Sequence, residues 1–180
     1  MANSEQTKRA LADGLRLALK KREYGDITVA DITDCSGMSR NTFYYHFRDK
    51  EELVDWVFQT DLKPVIRAAE KSANWTELLG MVLDVAEKNR EFYAEVLTSQ
   101  GYASFSTCLI DAGRHVAARI LAETRGTSQT DRELQLTARF YAHAVIGVVI
   151  DWVRGDVEFE PEELIALIEA RITGAESRRP

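Results

Sequence analysis

The sequence predicts an all-α protein of about nine helices, with a small N-terminal helix-turn-helix ahead of a larger helical bundle. Apolar residues recur at helical spacing, as Leu11, Leu15 and Ala18 do, and no segment alternates apolar and polar residues for long. Only 3 prolines and 10 glycines occur in 180 residues, so long helices are seldom interrupted. A chain of this length forms one or two domains with a sizeable core.

Three short helices are predicted in the first 50 residues. The first covers residues 5–22. The second covers residues 29–36, because Thr28 is a good N-cap and Asp31 suits its first turn. Gly37 supplies the following turn, and Ser39 caps a third helix over residues 40–47.

The later helices are longer. Asp49 caps a fourth helix, and Pro64 is expected to kink or restart it because proline lacks an N–H and clashes with the preceding turn. Thr130 is expected to cap the most apolar helix. The predicted helices after residue 74 are 75–90, 91–99, 102–125, 131–154 and 162–173, the last opened by Pro161.

The charge is unevenly distributed. The net charge of −6 argues at first against a nucleic-acid partner. Residues 1–50, however, hold 9 basic and 7 acidic residues, whereas residues 51–180 hold 14 and 22. The first segment, at +2, can therefore contact phosphate while the rest of the chain, at −8, stays away from it.

The sequence lacks the signals that are typical of membrane proteins, metalloproteins and enzymes. Residues 1–10 are polar, and the longest apolar run, 144–150, is far shorter than a membrane span, so a cytoplasmic protein is expected. Cys35 and Cys108 match no metal or redox spacing, and neither a metal nor a cofactor is expected. No nucleophile–base motif and no phosphate-binding glycine loop occurs, so an enzyme is not expected.

The third helix has the composition of a DNA-recognition helix. Phe43 and Phe47 lie four residues apart and can both face inward. The remaining side chains then face outward, where Arg40 can bind a guanine edge and Asn41 an adenine. The candidates for phosphate contacts are Tyr44, Tyr45, His46 and Lys50. The alternatives are half-buried tyrosines, a surface histidine and a solvated lysine.

The runs 27–32, 37–47 and 49–53 closely resemble the DNA-binding domain of the TetR/AcrR family of transcriptional regulators, collinearly over about 45 residues. The resemblance implies that Thr28 caps the second helix near a phosphate. Asn41 departs from the pattern, since many relatives have a small residue there. The implied base contacts come from Arg40, Asn41 and Tyr45, and the implied backbone contacts from Ser39, Thr42, Tyr44, His46 and Lys50.

The second half resembles one subtype of this family. The segments 88–93, 104–105, 147–155 with Trp152, and 161–164 are similar to regulators of dihydroxyacetone kinase operons. In that subtype the regulator can respond to a protein coactivator instead of a pocket ligand. The effector therefore stays open between a small molecule and a protein.

Aromatic residues and histidines of the second half either line an effector pocket or pack in the core, and for His143 a place in the core or an interface is favoured. The helix around Val145 is apolar on nearly all sides, so part of it is expected to meet a second subunit. The candidate pocket residues are Phe92, Phe105, His115, Phe140 and His143. The candidate dimer-interface residues are Val145, Ile146, Val149, Trp152, Leu164 and Ile168.

We therefore expect a sequence-specific transcriptional regulator that binds a palindromic double-stranded operator as a homodimer. Repression is the expected mode. The alternatives are a coactivator-dependent activator and a non-regulatory DNA- or protein-binding helical module. The expected domains are a DNA-binding helix-turn-helix in residues 1–50, a connecting helix in 51–74, and a dimerisation and effector-binding domain in 75–180.

Overall fold

The structure is a computed structural model that describes residues 2–71, 74–98 and 102–176. Within these ranges it has nine α-helices, one 3₁₀ turn at Tyr24–Asp26 and no strand, which confirms the predicted fold class. The helices are α1 Ala2–Leu19, α2 Val29–Ser36, α3 Arg40–His46, α4 Lys50–Lys71, α5 Trp75–Lys88, α6 Arg90–Thr98, α7 Tyr102–Arg125, α8 Arg132–Arg154 and α9 Pro161–Glu176.

The chain forms two compact units. The N-terminal unit comprises Met1–Asp61 and Glu91–Phe105, and the C-terminal unit comprises Leu62–Arg90 and Ser106–Pro180. The boundary between them falls inside α4, and most of α6 belongs to the N-terminal unit. The expected divisions after residues 50 and 74 therefore do not coincide with these units, because α6 packs with helices that lie far before it in the chain.

In the N-terminal unit, α1 packs against α2 and α2 against α3. Leu11, Leu15 and Ile32 are fully buried between these helices. Gly14 lies where α1 approaches α2 most closely, since a Cβ atom there would be 2.6 Å from the carbonyl oxygen of Ile32. The helical periodicity of α1 thus becomes the core that supports the next two helices.

Two local expectations, the end of α1 and the N-cap of α8, were wrong, and one of the two effects expected at Pro64 does not occur. α1 ends at Leu19, where the N–H groups of Lys21 and Arg22 both donate to the Ala18 carbonyl in a turn. α4 continues through Pro64, so the helix does not restart there, and the kink stays a prediction. The N-cap of α8 is Asp131, whose carboxylate accepts the Leu134 N–H at 2.9 Å.

In the C-terminal unit, α5 packs against α8 and α9. α7 and α8 share a cluster of small and branched residues that includes Ala118, Leu121 and Ala138. The indole N–H of Trp152 donates to the Phe159 carbonyl at 2.8 Å, and Arg90 donates to the Trp152 carbonyl at 2.7 Å. These contacts fasten the C-terminal end of α8, where Gly155 has a φ of 83°.

Most residues predicted for a dimer interface lie in this core instead. α8 and α9 turn the faces that carry these residues toward their own chain and so bury them. The prediction that these residues form a dimer interface is therefore replaced by a place in the core. Ile146, Val149, Trp152, Leu164 and Ile168 are all buried, and Val145 is half-buried.

By length and composition alone α8 could cross a membrane, and 39% of its most apolar window is buried within the chain. It alone passes this test in the part of the chain that the structure describes. A long core helix has the same composition.

Candidate nucleic-acid interface

The turn before α3 is built from local contacts. Gly37 adopts the left-handed conformation, with a φ of 69°, and its N–H donates to the Thr33 carbonyl. Ser39 then caps α3, because its hydroxyl accepts the Thr42 N–H at 3.0 Å. The turn and cap together fix where α3 begins and which way it leaves α2.

α3 has one buried face and one open face. Phe43 is completely buried and Phe47 nearly so, and their ring centres are 5.9 Å apart. The opposite side carries Tyr44, 59% exposed, and Tyr45, 84% exposed. Arg40 and Asn41 are also exposed. An anchored helix with a polar and aromatic outer face is the arrangement that enters a major groove.

His46 lies between the two faces. It is half-buried, and its ring packs against Tyr45 at 4.9 Å and against Phe47 at 6.3 Å. Tyr44 packs edge-on against Phe43 at 5.6 Å. These ring contacts hold the tyrosines at the surface without burying their hydroxyl groups.

Thr28 caps α2 through a reciprocal pair of contacts. Its hydroxyl accepts the Asp31 N–H at 3.3 Å, and the Asp31 carboxylate accepts the Thr28 N–H at 2.9 Å and the Thr28 hydroxyl at 2.6 Å. The hydrogen bonds from Thr28 lower the pKa of Asp31, with a smaller contribution from Arg22. Thr28 remains exposed at the N-terminal end of α2, where the backbone N–H groups of a helix favour an anion.

Lys50 has a different environment from the one expected. Its ammonium group donates to the carbonyl oxygens of Tyr24 at 2.8 Å, Gly25 at 3.3 Å and Ile27 at 2.8 Å. It also lies 4.5 Å from the centre of the Tyr24 ring. The three carbonyls already use the three N–H donors of the ammonium group. In this arrangement Lys50 fixes the loop between α1 and α2, and no donor is directed to a phosphate.

Sequence reasoning missed two features of the N-terminal unit, a contact of Lys8 and the close approach at Gly14. The Lys8 ammonium lies 5.7 Å from the Phe47 ring and 5.9 Å from the Trp56 ring, so a cation of α1 lies near the residue that ends α3. Gly14 had no sequence signal, because a glycine inside a helical pattern is also tolerated without a packing reason. Lys8 had no sequence signal either, since the rings that it contacts lie about 40 or more residues away in the chain.

The C-terminal unit contains a cavity of about 330 Å³, but none of the described candidate pocket residues lines it. Phe92 is buried in the N-terminal unit, packed on Phe58 and on Arg16. His115, Phe140 and His143 are exposed. The side chain of Phe105 lies outside the described residues. The prediction that these residues line an effector pocket therefore does not hold for this cavity.

The described residues contain no group of three or more histidine, cysteine, aspartate or glutamate side chains that could hold a metal ion. The geometry instead joins a closely packed three-helix unit to a recognition helix with an open polar face. This combination defines a helix-turn-helix protein that regulates transcription by binding DNA.

Family models identify this regulator more closely. Residues 13–57 match the model for bacterial regulatory proteins of the tetR family, and residues 73–174 match a transcriptional regulator C-terminal region of the same family. The chain belongs to the TetR family. The prediction of a DNA-binding transcriptional regulator and not an enzyme is confirmed.

Relatives resemble the chain over nearly its whole length. The dhaKLM operon transcriptional activator DhaS of Lactococcus lactis is 23% identical, covering 98% of this chain and 96% of its own. A solved structure of a dihydroxyacetone kinase operon activator DhaS has a TM-score of 0.68 at 21% identity, covering 93% and 96%. The fatty acid degradation regulator FadR of Bacillus halodurans has a TM-score of 0.66 at 15% identity, covering 90% and 92%.

Proposed function

We propose that the protein is a cytoplasmic homodimer that represses transcription from a palindromic operator and responds to an effector in its C-terminal unit. Each subunit would place α3 in a major groove, with Arg40 and Asn41 at base edges and Tyr44 and Tyr45 along the backbone. The observation that carries this proposal is the open face of α3, which opposes the fully buried Phe43.

The contacts divide into two groups. Thr28, Ser39 and Thr42 lie at the starts of α2 and α3, and Thr28 and Ser39 are exposed, which suits phosphate contacts. His46 supports Tyr45 and is half-buried. Lys50 is proposed to support DNA binding indirectly, by fixing the loop between α1 and α2. Phosphate contacts should make the affinity fall steeply with salt.

A stripe along α8 supports dimerisation. Leu136 is 69% exposed and Phe140 is 68% exposed, and His143 follows on the same face. Gly147 continues this face, and a Cβ atom there would meet nothing within 4 Å in the single chain. On α9, Leu167 is 37% exposed. We propose that this stripe, in place of the buried residues first expected, packs against its copy in a two-fold interface.

Effector control would be a shift between two states of the dimer. An effector that binds better to one spacing of the recognition helices must change DNA affinity, and DNA must change effector affinity equally. In the proposed mode the effector releases the operator.

One observation favours a second candidate function. The relative that matches over nearly its whole length is named as an activator, so a coactivator-dependent activator is the alternative.

The test of DNA reading is selection from a random duplex pool with the purified protein. We expect an enriched palindrome that the double variant Arg40→Ala, Tyr44→Ala fails to enrich. The control is Arg132→Ala, which removes an exposed cation from α8 and should leave selection unchanged. Equal weak binding by all three proteins would contradict the proposal.

The test of dimerisation is sedimentation at micromolar concentration. Phe140→Glu should shift the protein from dimer to monomer, because it places a charge in an apolar interface. Leu17→Glu changes an exposed leucine of α1 and should leave the dimer intact. A monomeric parent protein would contradict the proposal.

A further inference from the structure

The cavity of the C-terminal unit is lined by parts of five helices, and all of these parts belong to that unit. α7 provides one wall and α5 and α8 provide two others. α4 and α9 contribute single turns. The lining includes Val65 and Ala69 of α4, Trp75 of α5, Ala112 and Ala117 of α7, and Tyr141 of α8.

The lining contains no charged side chain. Its side-chain polar groups are the Tyr141 hydroxyl and the Trp75 indole N–H. Neither has a hydrogen-bond partner among the residues that the structure describes. Such a wall binds apolar surface through the hydrophobic effect and offers an occupant one or two polar contacts for orientation.

Two arginines of α7 adjoin lining residues in the sequence, but their side chains bind groups outside the lining or backbone carbonyls. Arg114 donates to Gln135 Oε1 at 3.0 Å and lies 3.7 Å from an Asp111 carboxylate oxygen. Arg119 donates to the carbonyl oxygens of Ala69 at 3.0 Å and Glu70 at 3.5 Å, at the C-terminal end of α4. The apolar lining would therefore replace part of the hydration of an anionic ligand and offer it no counter-charge.

We infer that the cavity binds an uncharged, predominantly apolar small molecule with at most one hydrogen-bonding head group, such as a medium-chain alcohol, and not the corresponding carboxylate. The volume lies at the lower end of small-molecule sites. This inference rests on the proposed effector control, and it names the chemical class of the effector.

The position of the cavity suits a regulatory ligand. Val65 and Ala69 of α4 line it, and Arg119 holds the carbonyl of Ala69. An occupant therefore contacts the last turns of α4 directly. The first turns of this helix belong to the N-terminal unit. A ligand that shifts these last turns has a covalent path to the unit that carries α3.

The test is direct binding to the purified full-length protein without DNA, by calorimetry and by thermal unfolding. Decanol is compared with decanoate at pH 8, and a series from hexanol to dodecanol tests size. We expect saturable binding of one decanol per chain and a higher Tm. Decanoate should bind about tenfold more weakly or worse, because its charge is unpaired in the cavity.

Two variants localise the binding. Ala112→Phe fills the cavity and should weaken decanol binding about tenfold or more. Glu123→Phe places the same ring on an exposed position of α7, outside the lining, and should leave binding unchanged. If Ala112→Phe fails to fold, Ala117→Leu adds less volume to the same wall and repeats the comparison.

Equal binding of decanol and decanoate would overturn the inference, since the head group would then lie in solvent. Equal binding by Ala112→Phe and the parent protein would overturn it too, as would no binding of any alcohol. DNA selection is a separate measurement. Decanol binding without operator selection would leave this inference standing and refute the proposed function.

Discussion

The hydroxyl group of Tyr93 donates a hydrogen bond of 2.7 Å to Oδ2 of Asp61. The same carboxylate oxygen lies 3.3 Å from Nη2 of Arg16. The Tyr93 ring stacks on Phe58, with ring centres 5.4 Å apart. The network joins α6 to α4 and α1, the helix against which α2 packs. A helix that the sequence assigned to the C-terminal part is therefore fastened to the N-terminal unit.

Tyr93→Phe should lower the free energy of unfolding by about 1–2 kcal/mol, because Asp61 loses a buried hydrogen-bond donor while the ring remains. Urea unfolding followed by circular dichroism measures it. The control is Tyr45→Phe, which removes a hydroxyl from a side chain that is 84% exposed and should change stability by less than about 0.5 kcal/mol. Equal effects of the two changes would argue against the network.

Stability should also fall at alkaline pH. Burial, and then the negative charge of Asp61, raise the pKa of Tyr93 in the folded state. The unfolded tyrosine titrates at about pH 10, so the folded state binds more protons than the unfolded state above that pH. The stabilisation is complete below about pH 10 and is lost as the pH rises further.

The same unfolding measurement between about pH 8 and pH 11 checks this dependence. Tyr93→Phe should show a smaller decrease than the parent protein. Some decrease should persist, since burial and then Glu51 also raise the pKa of Tyr24. Identical alkaline slopes in the two proteins would count against a role for Tyr93.

Gly14→Ala should destabilise the N-terminal unit by about 1–3 kcal/mol. The added methyl group would lie 2.6 Å from the Ile32 carbonyl oxygen and 2.7 Å from Ser36 Cβ, so α1 and α2 must separate. DNA affinity should fall with stability. Gly25→Ala is the matched control, because a Cβ atom there meets nothing within 4 Å. Calorimetric unfolding of both variants gives the comparison.

Lys50→Gln distinguishes a loop contact from a phosphate contact. Losing charged hydrogen bonds to the loop should lower stability by about 1–2 kcal/mol. DNA affinity should fall while its dependence on salt stays the same. A lost phosphate contact would instead reduce the slope of log affinity against log salt by about one. Titrating the operator at several salt concentrations separates the two results.

The sequence predicted the helix-turn-helix well because its signals are local. The Thr28 cap contacts Asp31 and the Ser39 cap contacts Thr42, each three residues away. Gly37 needs only its own left-handed conformation. Interactions within one helical turn depend on neighbouring residues alone, so the pattern of residues is enough to reveal them.

The candidate residues for a pocket and for a dimer interface were predicted less well. α8 is apolar on nearly every side, so periodicity did not reveal which side faces its own chain. The structure buries Ile146 and Val149 and exposes Leu136 and Phe140. The outer face thus includes Phe140, which the sequence had assigned to a pocket.

The sequence by itself determined the class of protein, the order of the helices and the recognition helix, since these follow from periodicity, capping and one glycine turn. Tertiary structure decided that Lys50 binds carbonyls 23 to 26 residues away and that Tyr93 meets Asp61. It also decided which residues of five helices line a cavity. Such contacts join residues distant in the chain, and packing of whole helices, rather than any local preference, selects them.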